Sequence, residues 1–146
     1  MKHLFRITCI VMAITILFCV PASAEEASPC SSAFFLSYDS FIDVISSNTF
    51  EVWFDVVGAG TMQEIGAKSI LIERSSDGEQ WTAVKSYLPA AYPQMIHENT
   101  GIAYDCVTYT GDPGYYYRAY VRCYAKNSSG SGVMYDYADT VFLPVP

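Results

Sequence analysis

The sequence predicts an all-β protein built as a single antiparallel two-sheet β-sandwich of about seven strands. Odd positions of residues 115–126 are apolar while Arg118, Arg122 and Lys126 occupy even ones, and a period of two is typical of a strand with one buried face. Residues 49–57 alternate in the same way. Turn signals recur along the chain and no helical period is present, which favours a sandwich over a helical or mixed fold.

The elements follow in order. Residues 33–47 predict a bent or interrupted first strand, and residues 49–57 a half-buried strand that ends at Gly58 and Gly60. Residues 68–75 and 81–87 predict a hairpin around Ser76-Asp77-Gly78, because Gly78 can adopt positive φ. Trp81 is expected to cap the core at the start of the returning strand.

The second half of the chain completes the sandwich. Residues 88–100 contain two prolines and no clear period, so they are interpreted as the longest loop. Residues 102–109, 115–126 and 133–143 predict the remaining strands, separated by glycine-containing turns.

The N-terminus carries the features of an export signal. Lys2 and Arg6 precede an apolar run at residues 7–20, and Ala22-Ser23-Ala24 matches a cleavage site. We therefore expect a signal peptide at 1–24, a polar lead-in at 25–32 and the β-sandwich domain at 33–146, in a secreted protein. An uncleaved membrane anchor is the alternative.

The net charge of the chain narrows the expected classes of partner. Without Lys2 and Arg6 the chain has 6 basic and 15 acidic side chains, a formal charge of −9, which would repel nucleic acid and anionic membranes. Neither a metal nor a cofactor is expected.

Cys30, Cys106 and Cys123 remain after cleavage. One bridge and one leftover thiol is the leading interpretation in an exported protein, although three free thiols remain an alternative.

If both side chains face inward, Cys106 and Cys123 are the predicted pair, and Cys30 could replace Cys106 as the partner.

Three segments carry a resemblance to a known family. Residues 70–84, ILIERSSDGEQWTAV, resemble the third strand and following hairpin of fibronectin type III-like domains, and residues 113–118 and 125–130 resemble their sixth strand and last turn. The resemblance implies an immunoglobulin/fibronectin type III-like sandwich with a tyrosine corner, in which Tyr115 or Tyr117 would hydrogen bond to upstream backbone. The chain also resembles short secreted bacterial proteins without an assigned activity.

Catalytic chemistry has little support in the sequence. His97 is the only histidine after the signal, and no nucleophile motif surrounds it. Glu51 and Asp55 share a strand face, but exposed carboxylates on a strand are usually a solvated surface. The chain is therefore predicted not to be an enzyme. Calcium binding by turn carboxylates is left open.

The outward positions of the strand at 115–126 are unusual for an acidic protein. They alternate aromatic and basic side chains, and we name this set the Tyr/Arg ridge: Tyr116, Arg118, Tyr120, Arg122 and Tyr124. Tyr and Arg are the residue types that concentrate binding energy at interfaces, and tyrosine rings stack on sugars. The alternative is cross-strand packing of Arg over Tyr that binds nothing.

These observations favour a secreted, non-enzymatic binding module. The Tyr/Arg ridge would contact an extracellular protein or a glycan. The second hypothesis is a structural or assembly subunit whose copies join through sheet edges.

Overall fold

The computed structural model describes residues 33–146, which form six strands connected by short turns. The elements are β1 (Phe35–Val44), β2 (Thr49–Ser75), β3 (Thr82–Tyr87), a short 3-10 helix (Pro93–Met95), β4 (Ile96–Thr110), β5 (Tyr115–Asn127) and β6 (Gly130–Leu143). Every pairing is antiparallel. The all-β prediction is confirmed. The predicted signal peptide, the lead-in and Cys30 lie outside the described residues.

Strand β2 organises the whole sheet. The predicted end of this strand at Gly58 and Gly60 is wrong, because β2 continues through both glycines to Ser75. Gly60 has φ +136°, and the register against β4 jumps from Val57 to Met62 while β4 moves only from Ile102 to Thr100. The glycines therefore form a bulge that bends the strand instead of ending it. Two predicted strands are consequently one, and the total is six.

The bend in β2 curls the antiparallel sheet. The first half of β2 lies between β1 on one edge and the second half of β4 on the other. The second half of β2 lies between β5 on one edge and β3 with the start of β4 on the other, and β6 extends the sheet beyond β5. One long strand thus takes part in both halves of the sheet.

Inward side chains from both halves form one hydrophobic core. The alternating residues Phe50, Val52, Phe54 and Val56 of β2 are fully buried, as the sequence predicted. The odd positions of β5 meet them from the other half of the sheet, and Tyr117 is the largest fully buried side chain. The apolar area that these positions remove from water supplies the main stabilising free energy of the fold.

Two other local predictions need correction. The first strand is continuous from Phe35 to Val44, with one register irregularity near its start. The predicted loop at 88–100 is shorter, because β4 begins at Ile96 and its first residues pair with β2. The prolines that suggested a loop are confined to the segment before β4.

The hairpin between β2 and β3 has the predicted turn chemistry. Gly78 has φ +78°. The Asp77 carboxylate accepts hydrogen bonds from the backbone N–H groups of Glu79 at 2.8 Å and Gln80 at 2.9 Å, and from the Ser75 hydroxyl at 2.8 Å. These donors lower the pKa of Asp77 to about 2.

The predicted bridge between Cys106 and Cys123 is wrong in this structure, where both thiols are free. Cys123 faces the core and is fully buried, whereas Cys106 alternates with the buried residues Ala103 and Val107 and lies on the outer face of β4. The two side chains therefore point to opposite faces of the sheet. Burial raises the pKa of Cys106 to about 11, with a further contribution from the charge of Glu51, and that of Cys123 to about 12.

Candidate functional site

The Tyr/Arg ridge lies on the outer face of β5, between the second half of β2 and β6. Tyr116 pairs with Ser75 of β2 and Phe142 of β6, and Tyr120 pairs with Leu71 and Tyr137. Because the ridge is on a central strand, its backbone is fully engaged in the sheet and only its side chains can reach a partner.

Arg118 is held by neighbours on three sides. Its Nε donates to Glu73 Oε2 at 2.7 Å, and its guanidinium lies 4.3 Å from the ring centre of Trp81 and 5.4 Å from that of Tyr137. An ion pair and two cation–π contacts occupy most of the binding capacity of the group. Arg118 therefore acts as a fixed support for the two aromatic rings.

Tyr120 is at the centre of an aromatic cluster that spans β5 and β6. Its ring is parallel to Tyr135 at 5.4 Å and tilted against Tyr137 at 4.5 Å. Tyr135 and Tyr137 are 52% and 58% exposed. Desolvation raises the pKa of Tyr120, with added contributions from Tyr137 and Tyr135. The cluster presents three phenol groups on one rigid surface.

The two ends of the Tyr/Arg ridge differ in the side-chain groups that they expose. Tyr116 is half-buried against Phe142 at 4.8 Å, and Phe142 is 47% exposed. Arg122 is exposed opposite Tyr135 and makes no ion pair within residues 33–146. An aromatic end and an unpaired cation therefore flank the central cluster.

Tyr124 does not fit the predicted exposed ridge. It is buried, with the Lys68 ammonium 3.8 Å from its ring centre. Tyr124 is directly opposite Gly66 of β2 in the register of the two strands. Tyr124 is a packing residue, which corrects its assignment as a contact residue.

The three residues predicted to be structural have separate roles. The Tyr117 hydroxyl accepts a hydrogen bond from the Asp112 N–H at 2.8 Å and donates to the Asp112 carbonyl at 3.2 Å, five residues upstream. Tyr115 is half-buried beneath the Arg74 guanidinium, at 4.4 Å. Trp81 precedes β3 and lies against Arg118 on the outer surface, so its predicted position over the core is wrong.

Sequence reasoning missed Tyr135, Tyr137 and Phe142. The sequence did contain a pattern that could have identified the two tyrosines, because Val133, Tyr135 and Tyr137 alternate along the last strand. Their importance depends on the β5–β6 register, which places Tyr137 directly beside Tyr120. Periodicity shows that two residues share a strand face, but it does not show which residues of another strand are beside them.

Of the groups considered for catalysis, Glu51 and Asp55 lie on β2 and His97 lies on β4. His97 belongs to β4 and lies 3.5 Å from Asp105, with its Nε2 toward the carboxylate. Cys106 follows Asp105, but its side chain is on the other face of the strand. Within residues 33–146 no group of three or more His, Cys, Asp and Glu side chains could hold a metal ion.

Comparison of the chain with models of protein families and with curated protein sequences finds no match. In the part of the chain that the structure describes, no helix is long and apolar enough to cross a membrane. The fold and the site define an all-β protein with a curled antiparallel sheet and an exposed aromatic cluster on one outer face.

Proposed function

We propose that this protein is a secreted, non-enzymatic binding module whose contact surface is the outer face of β5 and β6. The observation that carries the proposal is the cluster of Tyr120, Tyr135 and Tyr137, whose rings pack on one another while two of them stay more than half exposed. Exposed aromatic clusters on a rigid sheet are typical of binding surfaces, because each ring buries a large area at a low entropic cost.

The contact surface differs from the ridge that the sequence suggested. Arg118 and Tyr124 support it from within, while Tyr120 and Arg122 contact the partner together with Tyr135 and Tyr137. The partner is an extracellular protein or a glycan. A phenol-rich surface beside one unpaired arginine can stack on a sugar ring or on aromatic side chains, and it can donate hydrogen bonds at its edges.

We further propose an immunoglobulin/fibronectin type III-like sandwich. The support is the strand order, β1-β2-β4 in one half and β2-β5-β6 in the other, with β3 beside β2. This order corresponds to the A-B-E and C-F-G neighbours of that architecture, with strands B and C joined as β2. The hydrogen bonds between Tyr117 and Asp112 correspond to its tyrosine corner.

The test removes the exposed rings of Tyr135 and Tyr137 and leaves Arg118 and Tyr124 unchanged. Tyr135→Thr/Tyr137→Thr should lower the free energy of unfolding by about 1–2 kcal/mol through the lost ring contacts with Tyr120. The fold should be kept, because both residues are exposed and threonine suits a strand. The same variant should lose binding on a glycan array or cross-linking to secreted proteins. Leu36→Thr is the control, since Leu36 is 73% exposed on β1, which pairs with β2 and not with β5 or β6. A double variant that binds as the wild type does would contradict the proposal.

Assembly through sheet edges is the second candidate. Within residues 33–146, β1, β3 and β4 each pair with β2 alone, and β6 pairs with β5 alone. Unpaired edges are templates for strand addition. A mass that increases with concentration in light scattering, unchanged by Tyr135→Thr/Tyr137→Thr, would favour this function over binding through the aromatic cluster.

A further inference from the structure

A second aromatic surface lies on the outer face of the other half of the sheet. Phe41 of β1 is directly opposite Trp53 of β2, with parallel rings 6.1 Å apart. Trp53 also stacks on Tyr104 of β4 at 4.8 Å. The three rings form a row across three strands, and Phe41 and Tyr104 are 38% and 51% exposed. We name this row and the carboxylates beside it the acidic–aromatic face.

Carboxylates flank the Phe41–Trp53 pair on both sides. Asp39 is directly opposite Asp55 on one side, and Asp43 is directly opposite Glu51 on the other. Like charges at directly opposite positions of an antiparallel pair lie about 5 Å apart and destabilise the sheet. Within residues 33–146 none of these four carboxylates forms an ion pair. No cationic side chain of residues 33–146 therefore compensates the repulsion, although the Ser40 N–H donates a hydrogen bond to Asp39 Oδ1 at 2.9 Å.

The basic side chains are segregated from this face. All six Lys and Arg residues among 33–146 are at position 68 or later, on the second half of β2, on β3 and on β5. Arg118 and Lys126 are already paired with Glu73 and Glu64. A second copy of this chain consequently has few unpaired cations to offer, and its net negative charge would oppose association.

The spacing of the charges suits an extended polypeptide. Asp39 and Asp43 are four residues apart on β1, and Asp55 and Glu51 are four residues apart on β2. At about 3.3 Å per residue, the two carboxylate pairs are about 13 Å apart. Phe41 and Trp53 lie midway between them, and Tyr104 is directly opposite Asp55. An extended segment with basic residues at positions i and i+4 and an apolar residue at i+2 would place all three over their complements.

The geometry points to the acidic–aromatic face as a docking surface for an extended basic segment of a partner protein, with two lysines or arginines four residues apart. The carboxylate pairs bind the cations, and the exposed ring edges of Phe41, Trp53 and Tyr104 pack against the apolar side chain between them. This surface is separate from the Tyr/Arg ridge and does not depend on its proposed function. Because the attraction is electrostatic, the affinity should fall as salt is added.

The two tryptophans allow the docking surface to be located directly. Trp53 belongs to the acidic–aromatic face and Trp81 to the opposite outer surface beside Arg118. In an NMR titration with a capped nonapeptide that has lysine at its third and seventh positions, leucine at its fifth and threonine elsewhere, the Trp53 indole signal should shift and the Trp81 signal should not. A peptide of the same composition with adjacent lysines should bind at least about fivefold more weakly.

A second experiment removes two carboxylates from the acidic–aromatic face. Asp55→Asn/Glu51→Gln should lower the affinity for the peptide with lysines at positions three and seven by about tenfold or more. The same variant should raise the urea midpoint of unfolding at low salt, because like-charge repulsion is lost. Glu79→Gln, an exposed substitution in the β2–β3 turn, should leave peptide binding unchanged. Equal affinity for the two peptides, unchanged binding by the double variant, or a shift of the Trp81 signal equal to that of Trp53 would each overturn the proposal.

Discussion

Replacing Tyr117 by phenylalanine isolates the hydrogen bonds that connect β5 to the turn before it. The Tyr117 ring is fully buried, with centroids 5.3 Å from Phe50 and 5.8 Å from Tyr109. Phenylalanine keeps these contacts and creates no cavity. The substitution removes only the hydroxyl that accepts from the Asp112 N–H at 2.8 Å and donates to its carbonyl at 3.2 Å.

The expected loss follows from these two bonds. A net hydrogen bond contributes about 1 kcal/mol, and a backbone group left without a partner in a part-buried site adds a desolvation cost of similar size. The longer of the two bonds contributes less, so Tyr117→Phe should lower the free energy of unfolding by about 1–2 kcal/mol. With a urea m-value of about 1.5 kcal/mol/M, the midpoint should fall by about 1 M.

Tyr115→Phe is the matched control for this measurement. Tyr115 is two residues away on the same strand, half-buried beneath Arg74, and its hydroxyl makes no hydrogen bond with residues 33–146. Its replacement should change the free energy of unfolding by less than about 0.5 kcal/mol. Urea unfolding of both variants, followed by far-UV circular dichroism, gives the comparison. Equal midpoints for the two variants would refute the assignment of the hydrogen bonds to Tyr117.

Three further predictions concern the bend, the turn and the thiols. Gly66→Ala should lower the free energy of unfolding by about 3 kcal/mol or more, because φ is +144° and an added Cβ would overlap the Met95 carbonyl. Gly60→Ala is the control: its φ is similar but the space around it is open, so urea unfolding should show a smaller loss. The Asp77 pKa is lowered to about 2, so its stabilisation should be complete above about pH 4 and lost as pH falls toward about 2; Asp77→Asn should reduce this pH dependence in urea midpoints. At about pH 8, Cys123 in folded protein should resist alkylation and Cys106 should react slowly, whereas both should react in denaturant; mass spectrometry showing them bridged would contradict this.

The sequence alone was sufficient for the strand content and for several side-chain orientations. Alternation at 49–57 and 115–126 identified buried and outward residues, because side chains in a strand point to opposite faces in turn. Phe50, Val52 and Tyr117 are accordingly in the core. The turn at Asp77-Gly78 was predictable because a glycine tolerates positive φ and an aspartate accepts local N–H groups.

The orientation of Cys106 was not readable in this way. Residues 102–109 contain apolar side chains at both odd and even positions, so the pattern does not show which set faces the core. The core is filled by Ala103 and Val107, and Cys106 is consequently on the outer face. The predicted disulfide depended on that unresolved choice.

Only the tertiary structure decided which residues are neighbours across strands. The sequence shows Asp39 and Asp55 as isolated acids and Tyr120 and Tyr137 as members of separate strands, while the register places each pair side by side. The bend of β2 at Gly58 and Gly60 joins the two halves of the sheet around one core, although the same glycines in the sequence indicated an end. Local patterns reflect the conformation of a few residues, whereas strand pairing depends on the packing of the whole core.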